Sequence, residues 1–148
     1  FWRSGRINSA TIEYKGQIIE FYTCHMNLPT NKEEKMSDNI QRILKRSQTD
    51  NLKILMGDFN TDAINSPEDY KMILSQGLYD TYTVAIEKDS GITVGGNIDG
   101  WSKSKEEKRI DYIFSNKKIK VLSSKVIFNG KNHPVVSDHY GLEVILDM

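Results

Sequence analysis

Four short stretches of the sequence carry side chains able to do chemistry: "CHMN" at 24–27, "GDFN" at 57–60, "RIDYIF" at 109–114 and "SDH" at 137–139. Each sits at the start or end of an expected strand, and strand ends gather at one edge of a sheet, so residues distant in sequence can share a site. Asp58, Asp111 and Asp138 are hard oxygen donors suited to Mg²⁺, which takes one or two carboxylates and completes its shell with water and substrate phosphate. His25 and His139 are suited to hold or protonate an anionic phosphoryl group, and Asn60 to orient a water. Together they match the needs of a metal-assisted hydrolysis of a phosphodiester or phosphomonoester: a cation against developing charge, a base for water, and donors around phosphorus.

Each residue also has a bland reading. Asp58 and Asn60 are common turn residues whose side chains bond nearby backbone. Asp111 stands inside an apolar strand between Ile110 and Tyr112, where a carboxylate needs a partner, and a structural ion pair to Arg109 or a lysine would supply one. Neighbours on a strand point to opposite faces, which disfavours Arg109 and favours a histidine from "SDH". The same alternation keeps Cys24 and His25 from forming a nucleophilic dyad, leaving Cys24 to the core. His133, before Pro134, reads as an exposed turn residue. "GGN" at 95–97 lacks the strand, lysine and helix of a phosphate-cradling loop, and the lysine-rich "SKSKEEK" reads as a solvated face.

The elements that must position these residues follow from periodicity. "INSATIEYKGQIIEFYTCHM" alternates on both sides of Lys15-Gly16 and predicts a hairpin. In "NKEEKMSDNIQRILKRSQ", Met36, Ile40, Ile43 and Leu44 stand at helical spacing, with Asn31 as a capping residue and Glu34 three positions on. "LKILMG" predicts a strand buried on both faces, and "SPEDYKMILSQG" a short helix with a Ser cap, Pro at its first position and a closing Gly. Residues 83–109 show no sustained period and read as a long loop, which in a compact domain is usually functional or mobile. "RIDYIFS", "IKVLSSKVIF" and "YGLEVILD" predict three further strands. The resulting class is α/β (α+β), with a mixed, mostly antiparallel sheet flanked by helices.

At 148 residues the chain is the size of one domain, 1–148, able to bury about two-thirds of its unfolded surface. Lys plus Arg equals Asp plus Glu at 20 each, so any polyanion must be bound by a local patch. No apolar run reaches the ~20 residues of a membrane helix. The lone cysteine, Cys24, cannot form an internal disulfide, which fits a cytoplasmic protein and equally a cysteine-poor secreted bacterial one. The chain shows no signal-peptide pattern and begins at Phe1, as expected for a piece of a longer protein.

The ordered set "H…GDFN…RIDYIF…SDHYGL" resembles the C-terminal half of the endonuclease/exonuclease/phosphatase superfamily, over about Ile18 to Leu146. That superfamily includes deoxyribonuclease-like nucleases, abasic-site endonucleases, inositol-phosphate phosphatases and bacterial neutral sphingomyelinases. The resemblance implies a four-layer α/β/β/α sandwich and a Mg²⁺- or Mn²⁺-dependent phosphoesterase. It implies that His25 contacts the scissile phosphate and that Asp58 and Asn60 position or activate the attacking water. Asp111 then orients His139, the phosphate-contacting acid/base, and Asp138 helps Asp58 hold the metal.

Two departures from the family pattern matter. The family's metal-binding Glu, and an Asn before it, belong to an N-terminal half that would precede Phe1, and Glu13 and Glu20 come too late in the order to replace it. The expectation is half a catalytic domain, whose activity without the upstream residues stays open and whose open face either pairs two copies as a homodimer or is covered by residues outside this sequence. Where many relatives carry a Thr-Phe-His-Gly-like segment, this sequence has "ITVGGNIDGW". Asn97, Asp99 and Trp101, with Asn27 from the first motif, are therefore the candidate substrate contacts. The substrate class stays open among nucleic acid, phospholipid headgroup and sugar phosphate. The competing expectation is a binding or assembly module that keeps the fold without catalysis.

Overall fold

Alternation and helical spacing do most of the local work in this chain. In the computed structural model, which describes residues 7–28, 35–46, 48–95, 98 and 106–148, they yield eight strands and three helices among those residues. Strands β1 (Ile7–Tyr14) and β2 (Gln17–His25) form the hairpin. Its two turn residues, Lys15 and Gly16, both have positive φ, at 50° and 76°. That backbone matches the twist of the flanking strands, and Gly adopts it without strain.

Helix α1 (Met36–Arg46) leads into β3 (Leu52–Asp58), which runs parallel to β2, as a crossover through a helix allows. Helix α2 (Pro67–Ser75) is followed by β4 (Tyr79–Asp80), the one-turn α3 (Thr81–Val84) and β5 (Glu87–Lys88). Strands β6 (Asp111–Ser115), β7 (Lys120–Ile127) and β8 (Gly141–Asp147) complete the order. One sheet has the order β1-β2-β3-β6-β4 and the other β5-β7-β8, each with one parallel pairing and the rest antiparallel. No helix among the described residues is long and apolar enough to cross a membrane.

The five-stranded sheet buries both faces. Tyr22, Cys24, Leu55, Tyr112 and Phe114 share one face and pack under Met36, Ile40 and Ile43 of α1 and Ile73 of α2. Residues of the other parity, Ile19, Ile54, Phe21, Met56 and Ile113, pack together on the opposite face with Leu52 and Ile119. Each such side chain taken from water contributes about 1.5–3 kcal/mol. Because the period along a strand is two, a residue's parity decides which layer it meets.

The long loop expected at 83–109 is more ordered than its composition indicates. The last residues of α3, strand β5 and a Val94–Lys108 bridge fall within it, and β4 lies just before it. Two-residue strands leave no period to read; pairing with β6 and β7 creates them. Ser66 makes no side-chain cap hydrogen bond at α2, contrary to expectation, since its φ and ψ of −140° and 65° turn it away from the helix start; Pro67 opens the helix as predicted. The proposed cap Asn31 lies outside the described residues.

Arg109 is buried and explains the polar end of β4. Its Nη1 donates to Asp80 Oδ2 at 2.6 Å, and its guanidinium lies over the rings of Tyr70, Tyr82 and Tyr112 at 5.2, 4.7 and 4.7 Å. Asp80 also accepts from the Tyr70 hydroxyl and from the backbone N–H of Tyr82, capping α3. The cage holds the entry to β6, two residues before Asp111. Asp80→Asn keeps the size and the cap acceptor but leaves a buried cation uncompensated, at a cost of about 3 kcal/mol. Urea unfolding at constant m-value measures it; an unshifted midpoint would remove the cage from the stabilising interactions.

Candidate active site

His25 closes β2, Asp58 closes β3 and Asp111 opens β6, and the three are register partners in one row across the strands. Register partners project from the same face, so parallel β2–β3 pairing and antiparallel β3–β6 pairing bring two strand ends and one strand start together. Their parity is that of Phe21, Met56 and Ile113, which places the row on the face turned away from the helices. His25 Nε2 lies 3.4 Å from Asp58 Oδ2, with the histidine side chain half exposed and the aspartate largely enclosed.

Asp58 is both a turn residue and a poised carboxylate. Its Oδ1 accepts from the Asn60 N–H at 2.7 Å, so the turn expected from composition is present. Asn60 has φ +50°, and its amide nitrogen donates to the Met26 carbonyl at 2.8 Å, tying this turn to the segment after His25. Burial pushes the Asp58 carboxyl above its usual range and neighbouring Asp111 adds to that, while the Asn60 hydrogen bond and the two histidines pull it back.

The partner of Asp111 is His139, with Nδ1 2.9 Å from Oδ2, whereas Arg109 turns to Asp80. Asp111 comes from the five-stranded sheet and His139 from the turn leading into β8, so this contact ties one sheet to the other. The Asp111 hydrogen bond holds the His139 imidazole above its ordinary 6.5, partial burial opposing it and the charges of Asp111, Asp58 and Asp138 helping. A histidine whose folded value is raised stabilises the fold fully below its unfolded value and loses that contribution as pH rises through the folded one. The thermal midpoint should therefore fall further in Asp111→Asn at about pH 6, below the unfolded value, than at a pH well above the folded one, where the charged pair no longer contributes. A pH-independent difference would contradict the charged pair.

The remaining candidates separate clearly. Asp138 is exposed, its carboxylate accepting from Ser137 Oγ at 3.1 Å. Asn27 is buried, 3% exposed, and so does not line an open surface. Asn97, Asp99 and Trp101 lie outside the described residues. Asp62 accepts from the Ile64 N–H and the Asn65 amide, a turn role. Cys24 is core, its thiol pushed up to about 12 by burial. Glu20 is buried under hydrogen bonds from Tyr22, Thr49 and Asn51 at the other end of β2. Gly57, which sequence reasoning passed over, sits opposite Cys24 with φ +131°, leaving no room for a Cβ.

A cavity of about 550 Å³ opens at the opposite end of the strands, lined by Ile18, Leu52, Ile119 and three lysines. Its Lys117 and Lys120 are already paired with Asp50 and Asp147. The carboxylate–histidine row, not this hollow, has the groups that acid–base chemistry requires. Among the described residues no group of three or more His, Cys, Asp or Glu is arranged to hold a metal. Mg²⁺ needs only one or two carboxylates, and the oxygen donors of Asp58 and Asp138 are chemically suited to it.

The model of the Endonuclease/Exonuclease/phosphatase family matches residues 6–139, spanning every motif of the site. The chain belongs to this family. A family protein from Leptotrichia buccalis C-1013-b is 61% identical with a TM-score of 0.89, over 96% of this chain and 54% of that one. The Bacteroides thetaiotaomicron mannosyl-6-phosphatase Bt3783 is 25% identical with a TM-score of 0.68, over 90% of this chain and 53% of that one. D. rerio TDP2, solved with a single-strand DNA product, shares the fold at 15% identity and a TM-score of 0.67, over 96% of this chain and 61% of that one. No curated protein matches the sequence. The chain thus spans about half the length of the Leptotrichia and Bacteroides proteins it matches. Members of the endonuclease/exonuclease/phosphatase family are hydrolases of phosphate esters, and the two packed sheets seen here are its α/β sandwich.

Proposed function

We propose that this chain supplies the proton-transfer and phosphate-orienting half of a metal-dependent phosphoesterase. The observation that carries the reading is the row His25–Asp58–Asp111, with His139 joined to Asp111 at 2.9 Å from the other sheet. Asp58 takes the proton of the attacking water: Oδ1 is engaged by Asn60, which leaves Oδ2 on the His25 side, and burial strengthens the carboxylate as a base. The Asn60 amide nitrogen is held by Met26, so its amide oxygen is the atom that orients the water.

His139 donates Nε2–H to a phosphoryl oxygen or to the departing ester oxygen, because Asp111 secures Nδ1 and favours the protonated ring. His25 binds the phosphate from the opposite side of Asp58. As water oxygen bonds to phosphorus the ester P–O bond breaks, one proton passing to Asp58 and one leaving His139. Asp138 is the proposed ligand of Mg²⁺ or Mn²⁺, directly or through water, and the cation when bound would neutralise charge on the phosphoryl oxygens.

The sugar-phosphate chemistry in the name of the Bacteroides relative makes hexose 6-phosphates the first esters to try. The test is turnover by the full-length protein on sugar phosphates, DNA, RNA and phosphocholine esters, with and without chelator. Turnover that needs a divalent cation supports the proposal. A protein inert on every ester, or equally active after chelation, would defeat it.

A further inference from the structure

Thr93 is fully buried in the segment between β5 and β6, a stretch whose sequence showed no period. Its backbone is fixed first: the Thr93 N–H donates to the Lys108 carbonyl at 2.9 Å, and Val94 bridges to the same residue. Its side chain then reaches the site. Thr93 Oγ1 accepts from the backbone N–H groups of Ile110 and Asp111, each at 3.2 Å. Its carbonyl accepts from the Tyr140 N–H at 2.8 Å. One residue thus bonds both to the backbone of Asp111 and to the residue after His139.

We propose that Thr93 is a positioning residue for the Asp111–His139 pair. The inference rests on the phosphoesterase reading only for its effect on rate. The pair joins segments from two sheets, and its 2.9 Å contact depends on how those segments are spaced. The Asp111 and His139 side chains keep 16% and 24% of their surface exposed, whereas Thr93 keeps none. Thr93 sets that spacing from the buried side, with an oxygen for one segment and a carbonyl for the other. A purely structural threonine would change stability when replaced and leave the imidazole's environment alone.

The experiment uses the full-length protein with three substitutions. Thr93→Ser keeps the oxygen; Thr93→Val keeps the shape and removes it; Thr93→Ala removes it without adding a methyl group, in case the valine variant does not fold. The spectroscopic readout is the downfield Nδ1–H resonance of His139, identified by its loss in His139→Gln. Ile73→Val, in the core under α2, serves as a destabilised control distant from the site.

In the valine and alanine variants the resonance should move or broaden, and kcat should fall about 10- to 100-fold with KM nearly unchanged, the effect of sub-ångström misplacement. The serine variant and the Ile73 control should keep both. An unaltered His139 resonance in folded variants lacking the oxygen, or an equal change in the Ile73 control, would overturn the proposal. The resonance requires no substrate, so failure of the phosphoesterase reading shows itself separately, as wild-type protein that turns over no ester.

Discussion

Asp58→Asn is expected to lower kcat by about 10²- to 10⁴-fold, the worth of a positioned general base, while the protein keeps or gains thermal stability. The geometry makes this pairing of outcomes specific. Asparagine retains the oxygen that accepts from the Asn60 N–H, so the turn survives. It cannot take a proton from water. The wild-type carboxylate is enclosed and its proton affinity is raised by burial, so its charged form weighs against the folded state at neutral pH.

The sign follows from linkage. With the folded value above the usual 3.8, the acid's contribution to stability is most favourable below that value and is lost as pH rises through the folded one. The neutral amide escapes the loss, so the variant's advantage in Tm should appear at pH 7 and vanish below about pH 4. Activity lost together with a large drop in Tm would mean that Asp58 acts as a structural turn residue. Activity retained would remove it from the reaction. Gain of stability with loss of rate is the signature of a residue placed for chemistry.

Gly57→Ala is expected to cost about 4 kcal/mol or more, beyond the range of ordinary substitutions. A Cβ at this position would lie 2.0 Å from the Cys24 carbonyl oxygen and 3.1 Å from its carbon, backbone atoms of the paired strand that cannot rotate away. The φ of +131° adds strain for any residue with a side chain. Relief requires β2 and β3 to part at the pair just before His25 and Asp58. Urea unfolding and circular dichroism would register the loss, and a variant with the wild-type midpoint would show that the strands separate more easily than this contact implies.

The types of the candidate site residues and most of the framework that carries them are legible in the order of amino acids. The hairpin around Lys15-Gly16, the apolar run of β3 and the spacing of Met36, Ile40 and Ile43 are local signals, because period and turn chemistry act over a few residues. The alternation that disfavoured Arg109 as the partner of Asp111 was equally local, and His139 does occupy that place. The rest depends on contacts made when the chain folds. That β3 runs parallel to β2 and antiparallel to β6, putting His25, Asp58 and Asp111 in one row, is a matter of register between strands far apart in the chain. The two-residue strands β4 and β5, the aromatic cage on Arg109 and the bonds of Thr93 carry no pattern of their own. They exist because a buried polar group must find its partner wherever the fold places one, and no window of neighbouring residues contains that partner.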